Sequence, residues 1–377
     1  MSRRPAGARP EAVRSPAPEI SRLVSPLLVW FCANARDLPW RRTRDPYAIW
    51  VAEIMLQQTQ VSTVLPYWER WLQALPTVAT LASAPADRVL KLWEGLGYYR
   101  RARHLQEAAA LIMKQHDGRV PNDFDALLAL PGIGRYTAGA IASIAFNQPR
   151  PVLDGNVIRV LTRVFGLRDN PRLRRTNDRL WQLAGALVET SQHAPGSNPC
   201  SALNQGLMEL GALVCTPHSP DCPACPWQRR CVARREGLTD QLPNLGPRPV
   251  TTTRHFHVLV VQRADALLVR RRPGNVLNAH LWEFPNCEVN GAAPLRPETS
   301  ARALLNTRPD SCRRLGVVKG TVTRFRLSLE VFLVTLPAGA RVSRRAGQWK
   351  YRRELDALAF SSTHRRILRL LEPATDG

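Results

Sequence analysis

The chain has 377 residues, with 53 Lys and Arg against 30 Asp and Glu, and a formal net charge of +23. This length allows two domains, and the charge favours a polyanionic partner such as nucleic acid, although a codon bias toward Arg would give the same excess. No apolar stretch reaches membrane-spanning length and no secretory signal opens the chain, so we expect no membrane partner. Eight cysteines in such a chain argue against a disulfide framework.

The first two thirds of the chain have helical spacing. Residues 1–19, rich in Pro, Arg, Ala and Ser, predict a disordered tail. From residue 20 to residue 236 apolar residues recur at spacings of three and four, which predicts an all-α domain with short connections. The clearest helical segments are Tyr47–Val61, Arg88–Leu96, Ala102–Lys114, Phe124–Leu130, Tyr136–Ala145 and Val157–Phe165.

The pattern changes after a linker at residues 237–254, which contains three prolines and two glycines. Beyond it, β-branched and aromatic residues alternate with polar ones, which predicts strands, and residues 361–371 have the pattern of a closing helix. We therefore expect an α+β domain at 255–371 and a short tail at 372–377. The predicted strands are His257–Val261, Ala266–Val269, Val317–Val318 and Phe325–Val334.

Four cysteines lie within seventeen positions and predict a metal centre: Cys215, Cys222, Cys225 and Cys231. Four thiolates suit a [4Fe–4S] cluster or a tetrahedral zinc ion. Zinc ribbons usually bring two close pairs of cysteines, whereas this loop has one close pair flanked by two single ligands, which favours iron–sulfur. Neighbouring arginines would make the ordered loop a platform for phosphates.

The segment Leu130–Gly134 joins two helical segments through a Pro and two glycines. Gly132 and Gly134 allow a tight turn, and the helix that follows presents free N–H groups to an anion. The segment therefore predicts a phosphate-binding hairpin, although an ordinary helix connection would have the same residues.

Two carboxylates have contrasting predicted environments. Glu53 has Ile49, Trp50 and Leu56 within one helical turn, so we expect it to be partly desolvated, with a raised pKa that suits a general acid. Asp154 immediately precedes a predicted helix, where an N-cap accepts backbone N–H bonds that keep it ionised. An acid and an anion together suit glycosidic hydrolysis through a cationic transition state.

Six motifs occur in order between about residues 38 and 231: EIMLQQTQV, WEGLGYYRRARHL, LPGIGRYTAGAI, VLDGNVIRVLTRV, NQGLMELGALVC and the cysteine loop. Together they resemble the MutY family of adenine DNA glycosylases, in the endonuclease III superfamily. The resemblance implies an all-α helix-hairpin-helix glycosylase domain with a [4Fe–4S] cluster loop, and a monovalent cation at the hairpin turn. It also implies a monomer that flips adenine out of A:8-oxoguanine or A:G mispairs in double-stranded DNA and hydrolyses its N-glycosidic bond.

The resemblance also assigns catalytic roles. It implies that Glu53 protonates adenine at N7, and that Asp154 stabilises the oxocarbenium ion or a transient glycosyl-enzyme. Tyr136 stands where bifunctional relatives carry a Lys nucleophile, and because Tyr cannot form a Schiff base we expect hydrolysis without strand cleavage. Helix packing is the alternative role for Tyr136.

Base contacts are likewise implied by the resemblance. Positions that wedge into the duplex are matched by Gln58, Thr59, Leu96 and Tyr98, and positions near the flipped adenine by Trp40, Arg41 and Gln205. Trp40 and Leu96 also fit a role in the core, and Arg41 fits a solvated surface charge.

The second domain resembles the MutT/Nudix fold at Leu281–Pro285. A Nudix pyrophosphatase needs a Glu-rich helix for Mg²⁺, but residues 297–310 offer only Glu298, so we expect recognition and no pyrophosphate hydrolysis. The family's Phe-Ser-His signature for 8-oxoguanine falls at residues 322–324, where Thr323 keeps a hydroxyl donor while Val322 and Arg324 depart from the pattern.

Two other functions share parts of this sequence pattern. A thymine or uracil mismatch glycosylase, or an oxidised-pyrimidine lyase, would use the same scaffold, although Tyr136 argues against the lyase and the Nudix-like domain against both. A non-catalytic iron–sulfur DNA-binding protein would need neither carboxylate. For the enzyme we expect the bacterial cytoplasm, at the nucleoid, or the nucleus or mitochondrion of a eukaryote.

Overall fold

The computed structural model describes residues 17–247, 250–289, 296–322 and 324–371. The chain divides into two compact units. The first contains the chain up to Trp50, Asn122–Leu128 and Ile133–Gly246, and the second contains Val51–Pro121, Ala129–Gly132 and the chain from Pro247 onward. Among the described residues, no helix combines the length and the apolar character that crossing a membrane requires.

Helices form the described chain up to Gly246, as the apolar spacing predicted. A short 3₁₀ turn lies at Pro39–Arg41. The helices are α1 (Ala17–Asn34), α2 (Pro46–Leu56), α3 (Val61–Ala74), α4 (Val78–Ser83), α5 (Ala86–Leu92), α6 (Arg100–Gln115), α7 (Phe124–Leu128), α8 (Arg135–Ile144), α9 (Gly155–Phe165), α10 (Arg174–Ser191), α11 (Pro199–Leu213) and α12 (Val232–Arg235).

A mixed sheet with three helices follows, which confirms the expected α+β character. The strands run in the order β3-β2-β1-β6-β5, while β4 pairs with β1 and β7 with β2. These elements are β1 (Thr252–Arg263), β2 (Ala266–Arg271), β3 (Trp282–Glu283), β4 (Asn286–Glu288), α13 (Pro297–Leu305), β5 (Ser311–Val322), β6 (Phe325–Thr335), β7 (Gln348–Tyr351), α14 (Arg352–Leu355) and α15 (Ser362–Arg369).

The core of the first unit is built from the apolar faces of α1, α9, α10 and α11. Trp227, from the cysteine loop, is buried in this core and donates its indole N–H to the carbonyl oxygen of Leu23 at 2.8 Å. The loop is therefore attached to the helical core by a large apolar side chain as well as by any group its cysteines hold.

The sheet of the second unit has a core on each face. In β1, Val258 and Val260 pack with α14 and α15 on one face, while Leu259 and Val261 pack with α13 on the other. Successive side chains of a strand point to opposite faces, so this run of valine and leucine places β1 at the centre of the domain. β1 and β6 run parallel, with Thr252 opposite Phe325.

Several predicted boundaries were wrong. Helix α1 begins at Ala17, inside the segment predicted as a tail, and the rest of that tail lies outside the described residues, as do 372–377. The predicted linker is ordered at both ends. Leu238 and Leu242 pack against Ala233, and β1 already begins at Thr252 because two consecutive threonines extend the strand.

Candidate active site and nucleic-acid interface

Glu53 lies in a helix that is buried almost all round. From Tyr47 to Met55 every residue of α2 is at most 5% exposed, and Glu53, its single carboxylate, is itself 5% exposed. One turn earlier, the indole N–H of Trp50 is buried without a hydrogen-bond partner among the described residues. The predicted burial of Glu53 among apolar neighbours is therefore confirmed.

Asp154 is the N-cap of α9, as predicted. Its Oδ1 accepts the backbone N–H of Val157 at 2.8 Å, and its Oδ2 accepts the side-chain amide of Asn156 at 3.1 Å. Burial nevertheless raises the pKa of Asp154 above its ordinary value, and these hydrogen bonds offset that effect only in part. The pKa of Asp154 is therefore shifted in the opposite direction to the one expected from the cap hydrogen bonds and the helix dipole, because desolvation is the larger influence.

Two glycines let the backbone around Asp154 approach its neighbours. A Cβ at Gly139 in α8 would overlap the carbonyl oxygen of Pro151, and a Cβ at Gly211 in α11 would lie 2.6 Å from that of Asn156. Asn156 also accepts a hydrogen bond from Arg159 at 2.8 Å, and Arg159 donates to the carbonyl of Gly211 at 2.8 Å. The start of α9 is thus held between α8 and α11, which fixes the position of the Asp154 carboxylate.

One face of α11 brings together three predicted site residues, Arg41, Tyr136 and Gln205. Gln205, Met208 and Glu209 are spaced three and four positions apart, so they share this face. The hydroxyl of Tyr136 lies 3.3 Å from the sulfur of Met208, and Arg41 donates to both carboxylate oxygens of Glu209 at 3.0 and 2.9 Å. The structure therefore gathers Arg41, Tyr136 and Gln205.

Glu209 was not predicted, and it explains the position of Arg41. It is 1% exposed and also accepts three hydrogen bonds from Arg36, at 2.7 to 2.9 Å. Burial raises the pKa of Glu209, but hydrogen bonds from Arg36 and Arg41 outweigh that effect and bring it to about 2. Arg41, only 15% exposed, is thus a fixed cation and not the solvated surface charge of the alternative interpretation.

Two turns of the second unit expose side chains from an unusual backbone conformation. Gln58, between α2 and α3, has φ of +57°, and Tyr98, before α6, has φ of +46°. Tyr98 is 47% exposed and Gln58 is also exposed. Residues other than glycine adopt this conformation at a cost of about 1–3 kcal/mol, and such strain is concentrated at functional sites. We refer to residues 57–59 and 95–98 as the paired turns.

Arg101 holds the paired turns together, and sequence reasoning missed it. Its guanidinium donates to the carbonyls of Ile54 at 2.7 Å and Met55 at 3.1 Å, at the end of α2, and of Gln57 at 2.5 Å. It also donates to the carbonyls of Leu96 at 3.1 Å and Gly97 at 3.2 Å. Burial lowers the pKa of Arg101 to about 10, so it stays charged at neutral pH.

Two predicted base-contact residues are core side chains in this structure. Trp40 and Leu96 are each 6% exposed, as the packing alternative required. Thr59 is half-buried next to Gln58. The side chains that the paired turns present to solvent are thus Gln58 and Tyr98.

The predicted hairpin has the expected backbone. Gly132 has φ of +77°, and a Cβ there would lie 2.6 Å from the Cβ of His104, so only glycine fits. Gly134 is the N-cap residue of α8 and has no side chain to cap the first helical turn. An anion could take the place of such a cap, which suits phosphate binding.

The four loop cysteines line one cavity, together with Arg163. Arg163 lies 3.4 Å from the sulfur of Cys215 and donates to the carbonyl oxygens of Thr216 at 2.7 Å and Pro217 at 3.1 Å. Within the described ranges, no three His, Cys, Asp or Glu side chains converge closely enough to hold one metal ion. Four thiols that line one cavity are a donor set that fits an iron–sulfur cluster.

Comparison with known proteins agrees with this arrangement. Residues 51–185 match the model of the HhH-GPD superfamily of base excision DNA repair proteins, and residues 257–370 match a NUDIX domain. The adenine DNA glycosylase of Homo sapiens is 34% identical over 95% of this chain and 76% of its own length. That of Rattus norvegicus is 36% identical over 92% of this chain and 77% of its own length.

The chain belongs to the adenine DNA glycosylase family. A solved structure of a thermostable thymine-DNA glycosylase is also similar, with 31% identity and a TM-score of 0.52, over 59% of this chain and all of that one. Thr323, the predicted contact to 8-oxoguanine, lies outside the described residues.

Proposed function

We propose that this glycosylase, acting as a monomer on double-stranded DNA, removes adenine paired with 8-oxoguanine or guanine by hydrolysis alone. The observation that carries the proposal is the placement of two carboxyl groups away from solvent. Glu53 is 5% exposed in helix α2, and Asp154 is hydrogen-bonded at the N-terminus of α9. Family membership supports adenine as the base that is released.

Glu53 is assigned the general acid. Adenine is a poor leaving group as an anion, so protonation at N7 lets it depart as a neutral base. A buried carboxyl group retains its proton near neutral pH more readily than an exposed one, which suits this role. Because a buried carboxyl group cannot reach a base that is stacked inside the duplex, the nucleotide must first leave the duplex.

Asp154 is assigned the anion that stabilises the sugar cation. As the C1′–N9 bond breaks, the electron pair goes to adenine and positive charge develops on the deoxyribose ring. A fixed carboxylate lowers the energy of that charge. Water then adds at C1′ and releases its proton to the solvent. Tyr136 supplies no amine, so no Schiff base forms and the strand stays intact.

Binding roles follow from the arrangement of each unit. Gln205 and the fixed cation Arg41 suit the polar edge of a purine, while Gln58 and Tyr98 suit insertion between bases. Phosphate groups suit the hairpin at residues 130–134. They also suit the arginines in and beside the cysteine loop, which are Arg229, Arg230, Arg234 and Arg235. A monovalent cation at the hairpin stays a prediction of the resemblance.

A [4Fe–4S] cluster on Cys215, Cys222, Cys225 and Cys231 fits the cavity that they line. When bound, the cluster would cross-link a loop that contains four prolines within residues 217–226. Arg159 donates to the carbonyl of Cys215 at 2.7 Å, so α9, which Asp154 caps, also supports this loop. The role that we propose for the cluster is therefore a structural one, to order this loop.

Single-turnover assays with duplexes carrying A:8-oxoguanine, A:G, T:G and U:G test the proposal. We expect adenine release from the first two, an abasic product without strand cleavage, and no release of thymine or uracil. The thymine-DNA glycosylase match makes T:G the sharpest competitor. Preferred release of thymine would overturn the substrate assignment, and immediate strand cleavage would overturn the assignment of hydrolysis alone.

A further inference from the structure

Glu94 joins one of the paired turns to the Nudix-like domain within the second unit. Its Oε1 accepts hydrogen bonds from the backbone N–H of Phe360 at 2.9 Å and from Nε of Arg365 at 2.9 Å. Its Oε2 accepts hydrogen bonds from Nη2 of Arg365 at 3.1 Å and from Nζ of Lys91 at 2.6 Å. The side chains of Glu94 and Arg365 are 14% and 19% exposed, so solvent screens this ion pair little.

A second contact holds the other end of the same turn. The hydroxyl of Tyr99 donates to the carbonyl of Phe360 at 3.1 Å and accepts the N–H of Gly95 at 3.3 Å. Between Glu94 and Tyr99 lie only four residues, and the last of them is the exposed Tyr98. The turn that presents Tyr98 is therefore attached at both ends to the segment around Phe360.

The segment that contains Phe360 and Arg365 also contacts β5. Arg366 donates to the carbonyl of Lys319 at 2.6 Å, and a Cβ at Gly320 would lie 2.5 Å from the methyl group of Thr363. β5 ends at Val322, next to the position that the family resemblance assigns to 8-oxoguanine. A continuous series of contacts thus links the end of β5 with the turn of Tyr98.

We propose that Glu94 is a positioning residue that couples recognition of the base opposite adenine to the placement of Tyr98. This inference rests on the proposed function. A fixed distance between the two elements lets a duplex with 8-oxoguanine engage both at once, whereas guanine engages one less well. Loss of the Glu94 carboxylate removes the charged acceptor of Arg365 and of the N–H of Phe360 and leaves only the Tyr99 end of the turn attached, so the coupling between the two elements should weaken.

A purely structural ion pair is the competing explanation. Buried ion pairs are weak contributors to stability in general, and loss of one partner leaves a cation without its counter-charge. Such damage would lower the fraction of active enzyme and slow excision from every substrate equally. The ratio of the rates with A:8-oxoguanine and A:G, measured on one preparation, does not depend on the active fraction.

The test compares Glu94→Gln, Arg365→Gln and the double variant with the unaltered chain, in single-turnover excision from both duplexes. Asp87→Asn is the matched control, because Asp87 pairs with Arg271 between the same helical and Nudix-like parts but both side chains are more than 40% exposed. We expect each single variant to lower the rate ratio by about fivefold to tenfold, mainly through A:8-oxoguanine. The double variant should lose little more, and Asp87→Asn should stay within about twofold.

An unchanged rate ratio in both single variants would overturn the inference, whatever happens to thermal stability. Equal slowing of both substrates would do the same, because it is the signature of structural damage. If the unaltered chain released no adenine, the proposed function itself would fail. An active chain whose ratio survives Glu94→Gln contradicts this inference alone.

Discussion

Asp154 combines a structural and a chemical role in one carboxylate. As N-cap it accepts the N–H of Val157, and as an anion it is assigned to the sugar cation. Asparagine caps a helix about as well as aspartate but carries no charge. Substitution by Asn therefore separates the two roles.

We expect Asp154→Asn to fold normally and to excise adenine from A:8-oxoguanine at least about a hundredfold more slowly, because the charge that stabilises the cation is lost. Rates come from single-turnover assays, and thermal unfolding monitors the fold. Asp169→Asn, on the surface loop after α9, is the control and should have no effect. A near-normal rate for Asp154→Asn would remove Asp154 from the mechanism.

At the residue scale, local pattern predicted more than long-range pairing did. The burial of Glu53 follows from its apolar neighbours within one helical turn, and the cap at Asp154 follows from its position before a helix. Glu209 and Arg101 could not be recognised, because their partners are distant in sequence. Arg36 and Glu209 are 173 positions apart, and Arg101 lies more than 40 from Gln57.

At the scale of elements, helical spacing predicted the wrong helix ends at the paired turns. Apolar spacing predicted one helix through Val61 and another through Leu96, yet α2 ends at Leu56 and α5 at Leu92. Positive φ at Gln58, Gly95 and Gly97 ends the regular spacing. Arg101 compensates by bonding the carbonyls that these irregular turns leave without helical partners.

Arg101→Lys tests whether the paired turns depend on one guanidinium. Lysine keeps the charge but has three donors on one nitrogen, so it cannot serve both turns in the same way. We expect a melting temperature lower by about 5 °C or more and weaker binding to A:8-oxoguanine duplexes. The exposed neighbour Arg100→Lys should change neither. Unchanged melting and binding in Arg101→Lys would show that the turns are held by other contacts.

The buried His364 of helix α15 should make the stability of the Nudix-like domain depend on pH. His364 is 5% exposed, and its Nδ1 accepts the N–H of Phe284 at 3.2 Å, which requires a neutral ring. The pKa of His364 is lowered from its ordinary value of 6.5 to about 4, chiefly by burial and also by nearby Arg272 and Arg270, while Glu283 acts in the opposite direction. Between pH 6.5 and pH 4 the imidazole of His364 is therefore protonated in the unfolded chain but neutral in the folded chain.

Stability should consequently be full above pH 6.5 and fall as the pH drops toward 4, by about 3 kcal/mol for the whole interval. Thermal unfolding at pH 7 and pH 5 measures this effect. His364→Gln removes the titrating group, so its melting temperature should change less between the two pH values than that of the unaltered chain. Equal changes in both proteins would show that His364 does not control this dependence.

At the scale of the whole molecule, the order of motifs predicted more than composition did. A charge of +23 indicated a polyanionic partner but neither a fold nor a reaction. The helical part and the change to an α+β part were predicted from apolar spacing, the family was predicted from motifs, and the family and fold are confirmed. Boundaries were less accurate, because the ordered ends of the linker depend on packing by Leu238 and Leu242 that no local pattern reveals.

The most direct test of the central claim is Glu53→Gln in single-turnover excision of adenine from A:8-oxoguanine, with binding measured on the same duplex. Glutamine keeps the shape of the side chain but has no acidic proton, so we expect excision to fall by about a hundredfold to ten-thousandfold while binding stays within a few-fold. Glu69→Gln, on the exposed face of α3, should match the unaltered chain. Near-normal excision by Glu53→Gln would contradict the assignment of Glu53 as the acid.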